Sequence, residues 1–281
     1  MILQAAIGDA YGAGFEFQNM KFIAEYNTLE RYCPHGLYTE IYKRYTDDTQ
    51  MALALAELLL EDDSDWTADK VADKFVEVFH RDKRRGYSSR VYNALDGSKN
   101  GSAFMQNINR SSNGNGSAMR AYTLGYIKDI EKLLRFATIQ AIVSHDTEEG
   151  VIAAKRIALT IHYYLYDVQN TTLFEFLEQN APSNQVFGII SPIDMHGYPT
   201  TNAVCKIVSE ENDMKKCLQE SVAYGGDTDT VAALCMAILS VKKNRIENLP
   251  SFLFHELENE IYGKDYLYNI DKKLEEKFLK N

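Results

Sequence analysis

Residues 44–61, RYTDDTQMALALAELLLE, set Asp47 and Asp48 side by side between Thr46 and Thr49, directly ahead of an apolar run. Residues 224–241, YGGDTDTVAALCMAILSV, repeat the device with Asp227, Asp229 and Thr230. Asp and Thr cap helices, because their side-chain oxygens accept from the unpaired N–H groups of a first turn. Asp47 and Gln50 even have the spacing of a capping box. One cap per helix suffices, however, and both segments carry a surplus of oxygens. Helices apolar on every face lie in the middle of a domain, so the two acidic starts are expected to meet there. Four carboxylates brought together in an interior must either take up protons or hold a cation. With neither His nor Cys among them, the ligands suit Mg²⁺, Mn²⁺ or Ca²⁺. No D-x-[DN]-x-[DN]-G series points to a calcium loop.

Three further segments could complete such a site. In AIGDAYGAGFEF (6–17), Gly8 and Gly12 have the spacing for close helix packing, and Glu16 stands between two phenylalanines. An unpaired carboxylate there would be costly, so a metal, a substrate proton or a buried structural partner is expected. In SSNGNGSAMR (111–120), backbone N–H groups of a Gly/Asn-rich turn can cradle an anion, although the Walker lysine is missing. In VSHDTEEG (143–150), His145 precedes a helix as a cap neighbour or a ligand contact.

The elements that must position these residues read as helical almost throughout. The five prolines leave long stretches without a breaker, and 3.6-residue periodicity dominates. Helices are predicted at 3–13, 48–61, 67–81, 87–96, 117–126, 130–143, 147–166, 171–179, 200–209, 213–224, 229–242, 252–260 and 270–280. Residues 97–120 read as one long turn-rich stretch. No linker divides the chain, so residues 1–281 are expected to form one compact all-α domain, an orthogonal helical bundle.

The remaining totals limit the function. Lys and Arg number 30 against 40 Asp and Glu, a net charge of -10. That disfavours nucleic-acid phosphates and anionic membranes as partners. The apolar runs 51–60 and 231–241 are about half the ~20 residues that span a bilayer. No leader is visible and no C-x-x-C pair occurs among Cys33, Cys205, Cys217 and Cys235. A reducing cytoplasm is the expected setting, which makes the sequons at Asn100, Asn115 and Asn170 chance matches.

Taken in order, T-D-D-T, G-N-G-x-A-M-R, S-H and G-G-D-T-D-T resemble the ADP-ribosylglycohydrolase family, over residues 8–240. The family includes dinitrogenase-reductase activating glycohydrolase and the hydrolases of ADP-ribosyl-arginine and ADP-ribosyl-serine. The resemblance implies an all-α fold with two Mg²⁺ or Mn²⁺ ions in a central cleft. It implies Thr46, Asp47, Asp48, Asp227, Asp229 and Thr230 as metal ligands. Glu16, Asp47 and Asp229 would carry the catalysis. Ser112, Asn113, Gly114, Asn115, Gly116 and Met119 would hold the diphosphate or distal ribose, His145 the ribose side, and Tyr87 of GYSSR the adenine. The implied reaction is release of ADP-ribose from a modified protein by a monomeric enzyme. Arginine-linked substrates are favoured, although no residue matches the acid that some arginine-specific members use. Hydrolysis of free ADP-ribosyl metabolites, or non-catalytic binding of ADP-ribose, is the alternative reading. The chain begins seven residues before Gly8, so a short first helix is expected.

Overall fold

The computed structural model describes residues 1–183 and 189–280. Its elements are α1 (Ile2–Gly12), α2 (Met20–Tyr26), α3 (Asp47–Glu61), α4 (Ala68–Arg81), α5 (Ser89–Asp96), α6 (Gly101–Asn107) and α7 (Ile130–Ile142), followed by α8 (Glu148–Leu165), α9 (Leu173–Asn180), α10 (Gly197–Glu210), α11 (Met214–Ala223), α12 (Thr228–Val241), α13 (Ser251–His255) and α14 (Lys264–Phe278). Short 3₁₀ turns join them. Among the described residues there is no strand, only isolated bridges.

The middle of the bundle is α12 against α1. Twelve residues of α12, Thr228 to Leu239, are buried in succession. The two helices approach closely because Gly8 and Gly12 face them without side chains. A Cβ on Gly12 would lie 2.6 Å from the Asp229 Cα, and one on Gly8 would overlap the Ala232 carbonyl. The third apolar helix, α3, lies against both. One apolar cluster runs from Met1 to Leu274.

Most outer helices start where side chains cap them. Thr67, Ser88, Asp129, Thr147, Thr172 and Asp213 each accept a first-turn N–H, as their types favour. α4 buries Val71, Phe75, Val78 and Phe79, the face that its periodicity predicts.

Several expectations need correction. α2 lies outside every helix that the periodicity predicts, and 97–120 is not all turn. Asn100 caps α6 by accepting from the Ala103 N–H, and Gly101 lets α6 lie on the backbone of α4. The helix expected at 117–126 is two 3₁₀ segments, Asn115–Ser117 and Ala121–Tyr126. There the chain presses Gly125 against Ile161 of α8, where a side chain would not fit. α13 ends at His255 rather than 260, and α14 starts at Lys264 rather than 270. Finally, the cap of α3 is Thr46, whose hydroxyl accepts from the Asp48 N–H at 3.4 Å. Asp47 makes no capping box.

Candidate active site

The first turns of α3 and α12 open into one cavity of about 280 Å³. Its lining includes Glu16, Asp47, Asp48, Asp227, Asp229 and Thr230, together with Ser112, Gly114, Asn115, Gly116, Met119 and His145. Tyr87 and Arg90 also reach it. The two acidic helix starts therefore converge, as their apolar helices require. Asp47, Asp48, Asp227, Asp229 and Thr230 are all buried.

Backbone ties aim three of the acids, Asp47, Asp227 and Glu16. The Asp47 N–H donates to the Arg85 carbonyl (3.1 Å), and the Asp227 N–H to the Ile193 carbonyl (3.0 Å). Gly226, at φ 83°, makes the turn before Asp227 and leaves no room for a side chain against Ile193. The Phe17 N–H donates to the Gly226 carbonyl (2.9 Å), which anchors Glu16 beside that turn. Gly86, at φ 107°, passes so close to Asp47 that a Cβ would overlap its carboxylate.

Carboxylate oxygens of Glu16, Asp227 and Asp229 lie within 4.8 Å of one another. Burial, and then the neighbouring acids, push Asp47, Asp48 and Asp229 well above the usual carboxylate range. Burial raises Glu16 too, against an opposing hydrogen bond from His35. The Asp48 Oδ1 is buried and has no hydrogen-bond partner. A cluster of like charges with an orphaned oxygen fits a hard cation, which would satisfy the oxygen and neutralise the repulsion.

Two expected residues sit differently. Thr46 is buried behind the cavity wall, its N–H donating to Asp9 (2.9 Å). Asn113 is exposed, and its carbonyl accepts from the Gly197 N–H (2.9 Å). Neither lines the cavity. Asn115 does, but its amide donates to Asp227 Oδ2 (2.6 Å) and Thr200 (3.0 Å), so it orients an acid. Tyr87 lines the cavity and donates its hydroxyl to Gln50 (2.7 Å), with its ring edge-on to Phe79.

His145 is buried, and its pKa is driven well below the usual value by burial and then by Arg120 and Arg90. It is therefore neutral near pH 7. Its Nε2 faces the Arg90 guanidinium (3.4 Å). A guanidinium only donates, so Nε2 accepts and Nδ1 carries the proton toward the Ser144 hydroxyl (2.8 Å). Gly116 lies flat against this ring, and a Cβ there would meet it at 2.7 Å.

Sequence reasoning missed Asp9, His35, Arg90 and Arg120. Asp9 accepts from the N–H groups of Thr46 and Thr49 and from the Thr49 hydroxyl (2.7 Å). It thus ties α1 to the mouth of α3. Arg90 donates to the carbonyls of Asn109 (2.6 Å) and Ser144 (3.2 Å). The buried Arg120 donates to Gln140 and to Ser144 (2.8 Å) and stacks over Phe75. Among the described residues neither guanidinium is salt-bridged to a carboxylate. Asp9, Arg90 and Arg120 stand inside AIGDAYGAGFEF, GYSSR and SSNGNGSAMR, but their partners Thr49, Ser144 and Gln140 lie outside those segments.

The family model described as ADP-ribosylglycohydrolase matches residues 1–280. An ADP-ribosylhydrolase ARH3 of Xenopus tropicalis is 28% identical over 302 residues, covering 84% of this chain and 84% of the relative. An ADP-ribosyl-[dinitrogen reductase] glycohydrolase of Rhodospirillum rubrum is 24% identical over 293 residues, covering 92% and 89%. A solved ADP-ribosylglycohydrolase-related protein complex superposes with a TM-score of 0.76 at 20% identity, over 97% of this chain and 94% of that one. That likeness establishes the fold.

Proposed function

The chain belongs to the ADP-ribosylglycohydrolase family and is a hydrolase of ADP-ribose glycosidic bonds, and from that premise we propose that it removes ADP-ribose from modified protein side chains, with arginine-linked substrates favoured. The observation that carries the reading is the meeting of two acidic helix starts and a Gly-rich turn in one cavity. The Rhodospirillum rubrum relative is named for a protein substrate, which supports a protein-linked bond over a free metabolite.

We assign Asp47, Asp48, Asp227, Asp229 and Thr230 as holders of two Mg²⁺ or Mn²⁺ ions, with Thr46 bracing Asp48 from behind. Such ions, when bound, supply Lewis-acid stabilisation and ease deprotonation of water. The protein's own groups do the rest. Breaking the C1″ bond builds positive charge on the ribose, as in glycoside hydrolysis. Buried carboxylates held nearby offset that charge. Glu16, poised by burial with a raised pKa, accepts a proton from the attacking water. Asn115 keeps Asp227 turned to the cleft. The turn at Ser112, Gly114 and Gly116 receives the diphosphate, and Arg90, which forms no salt bridge among the described residues, supplies the matching charge. Neutral His145 offers its Nε2 edge to a ribose hydroxyl, Met119 packs against the bound nucleotide, and Tyr87 covers the adenine.

We read residues 1–281 as one domain, which the single apolar cluster of the described residues supports, and the protein as a monomer. All four cysteines are buried and unpaired, which supports a reducing, cytoplasmic setting. No described helix is long and apolar enough to cross a membrane.

The test is Asp229→Ala. Turnover should fall at least ~10³-fold, the scale of losing one preorganised electrostatic element, with the helical circular dichroism retained. A variant that hydrolyses normally would overturn the site assignment.

A further inference from the structure

His35 lies in the connection between α2 and α3, well away from the acidic helix starts in sequence, yet it touches Glu16. Its Nε2 is 3.0 Å from Glu16 Oε2. Its Nδ1 accepts from two backbone N–H groups, Leu37 and Tyr38, both at 2.9 Å. Because Nδ1 is occupied as an acceptor, the imidazole proton must sit on Nε2. His35 therefore donates to Glu16, and its tautomer is set by the turn that follows it. The ring is buried and stacked on Tyr38 with centroids 5.2 Å apart, so it is held at both edge and face.

We propose that His35 is the positioning residue for Glu16: by tying Oε2 it holds this carboxylate within 4.8 Å of those of Asp227 and Asp229. Without that tie the Glu16 side chain, whose backbone is anchored through Phe17 to Gly226, regains rotamers that point away from the site. This rests on the proposed role of Glu16 in the hydrolase reaction. A metal-site carboxylate commonly depends on such an outer partner for its orientation.

His35 makes two kinds of bond, and two substitutions separate them. His35→Gln keeps an N–H near the Nε2 position but loses the acceptor for the turn. His35→Asn keeps an acceptor near the Nδ1 position but loses the donor to Glu16. Melting temperature, kcat and KM, and Mn²⁺ affinity by calorimetry are measured for both and for the wild type. The expected result is that His35→Asn lowers kcat and Mn²⁺ affinity by about 10- to 100-fold. KM should move by no more than about twofold, as for a group acting after substrate is bound. His35→Gln should stay within about threefold of wild type on both readouts, even if it melts lower. The proposal is overturned if His35→Asn matches wild type in kcat and Mn²⁺ affinity, or if both variants lose function in step with melting temperature. In that case His35 only staples the turn. Failure of the hydrolase reading looks different: the wild type then releases no ADP-ribose, while the Mn²⁺ titrations still separate the two variants if His35 acts as stated.

Discussion

Replacing Asp48 by Asn should stabilise the metal-free protein and destabilise the metal-loaded one relative to wild type. Asp48 is 4% exposed. Its Oδ1 has no partner, and the Thr46 hydroxyl lies 3.5 Å from its Oδ2, with the Thr230 side chain beside it. Burial, then Asp47, Asp9 and Asp227, raise its pKa, so holding it ionised at pH 8 costs folding free energy. An Asn of the same shape removes that charge and offers N–H donors to the neighbouring carboxylates. An unsatisfied buried polar group is worth about 1–3 kcal/mol. For a protein of this size that is roughly 2–10 °C in melting temperature. Divalent cation reverses the order. The wild type should gain about 2.7 kcal/mol when the ion is at 100 times its Kd, whereas the variant, short of a charged ligand, gains well under ~1 kcal/mol. Differential scanning fluorimetry at pH 8, in EDTA and in Mn²⁺, reads both arms. A variant that melts below wild type in EDTA, or an equal rise of both proteins in Mn²⁺, would rule out Asp48 as a buried charged cation ligand.

Other consequences of the packing and charge can be checked. Asp9 is raised by burial to about 6, with the Thr49 and Thr46 bonds opposing; its folded pKa lies above its unfolded value, so its contribution is full below about pH 4 and lost as pH rises through about 6, and urea melts of metal-free protein across that range should show the fall. A Gly12→Ala change puts a Cβ 2.6 Å from the Asp229 Cα and should cost about 1–3 kcal/mol, with kcat falling as Asp229 shifts; an unchanged urea midpoint and rate would contradict the α1–α12 geometry. Arg90→Met should weaken AMP and ADP-ribose binding by about 10-fold, the ~1.5 kcal/mol of a charge-assisted bond, and leave adenosine binding unaltered; equal loss for all three in calorimetry would make Arg90 a loop brace.

What the sequence shows and what it hides follow from range. α3 and α12 are legible because their acids and apolar runs are contiguous, and the Gly8/Gly12 spacing announces a close helix contact. The meeting of the two helix starts follows from their shared burial. His35 and Arg90 are not legible, because each acts across a gap of folded chain: 19 residues from Glu16 for His35, and 55 from His145 for Arg90. Asn115 reads as part of an anion turn, and only folding commits its amide to Asp227, 112 residues away. The 3₁₀ path at Ala121–Tyr126 is likewise set by Ile161 of α8, a tertiary contact that local periodicity does not carry.

The most direct test of metal-dependent removal of ADP-ribose from protein is hydrolysis of defined ADP-ribosyl-arginine and ADP-ribosyl-serine peptides, run with Mg²⁺, with Mn²⁺ and with EDTA. Release of ADP-ribose from the arginine-linked peptide is expected with either ion, and none in EDTA. Release that persists in EDTA would contradict the role given to the acidic helix starts. No release from either peptide, with Mn²⁺ still bound, would contradict the protein-linked substrate.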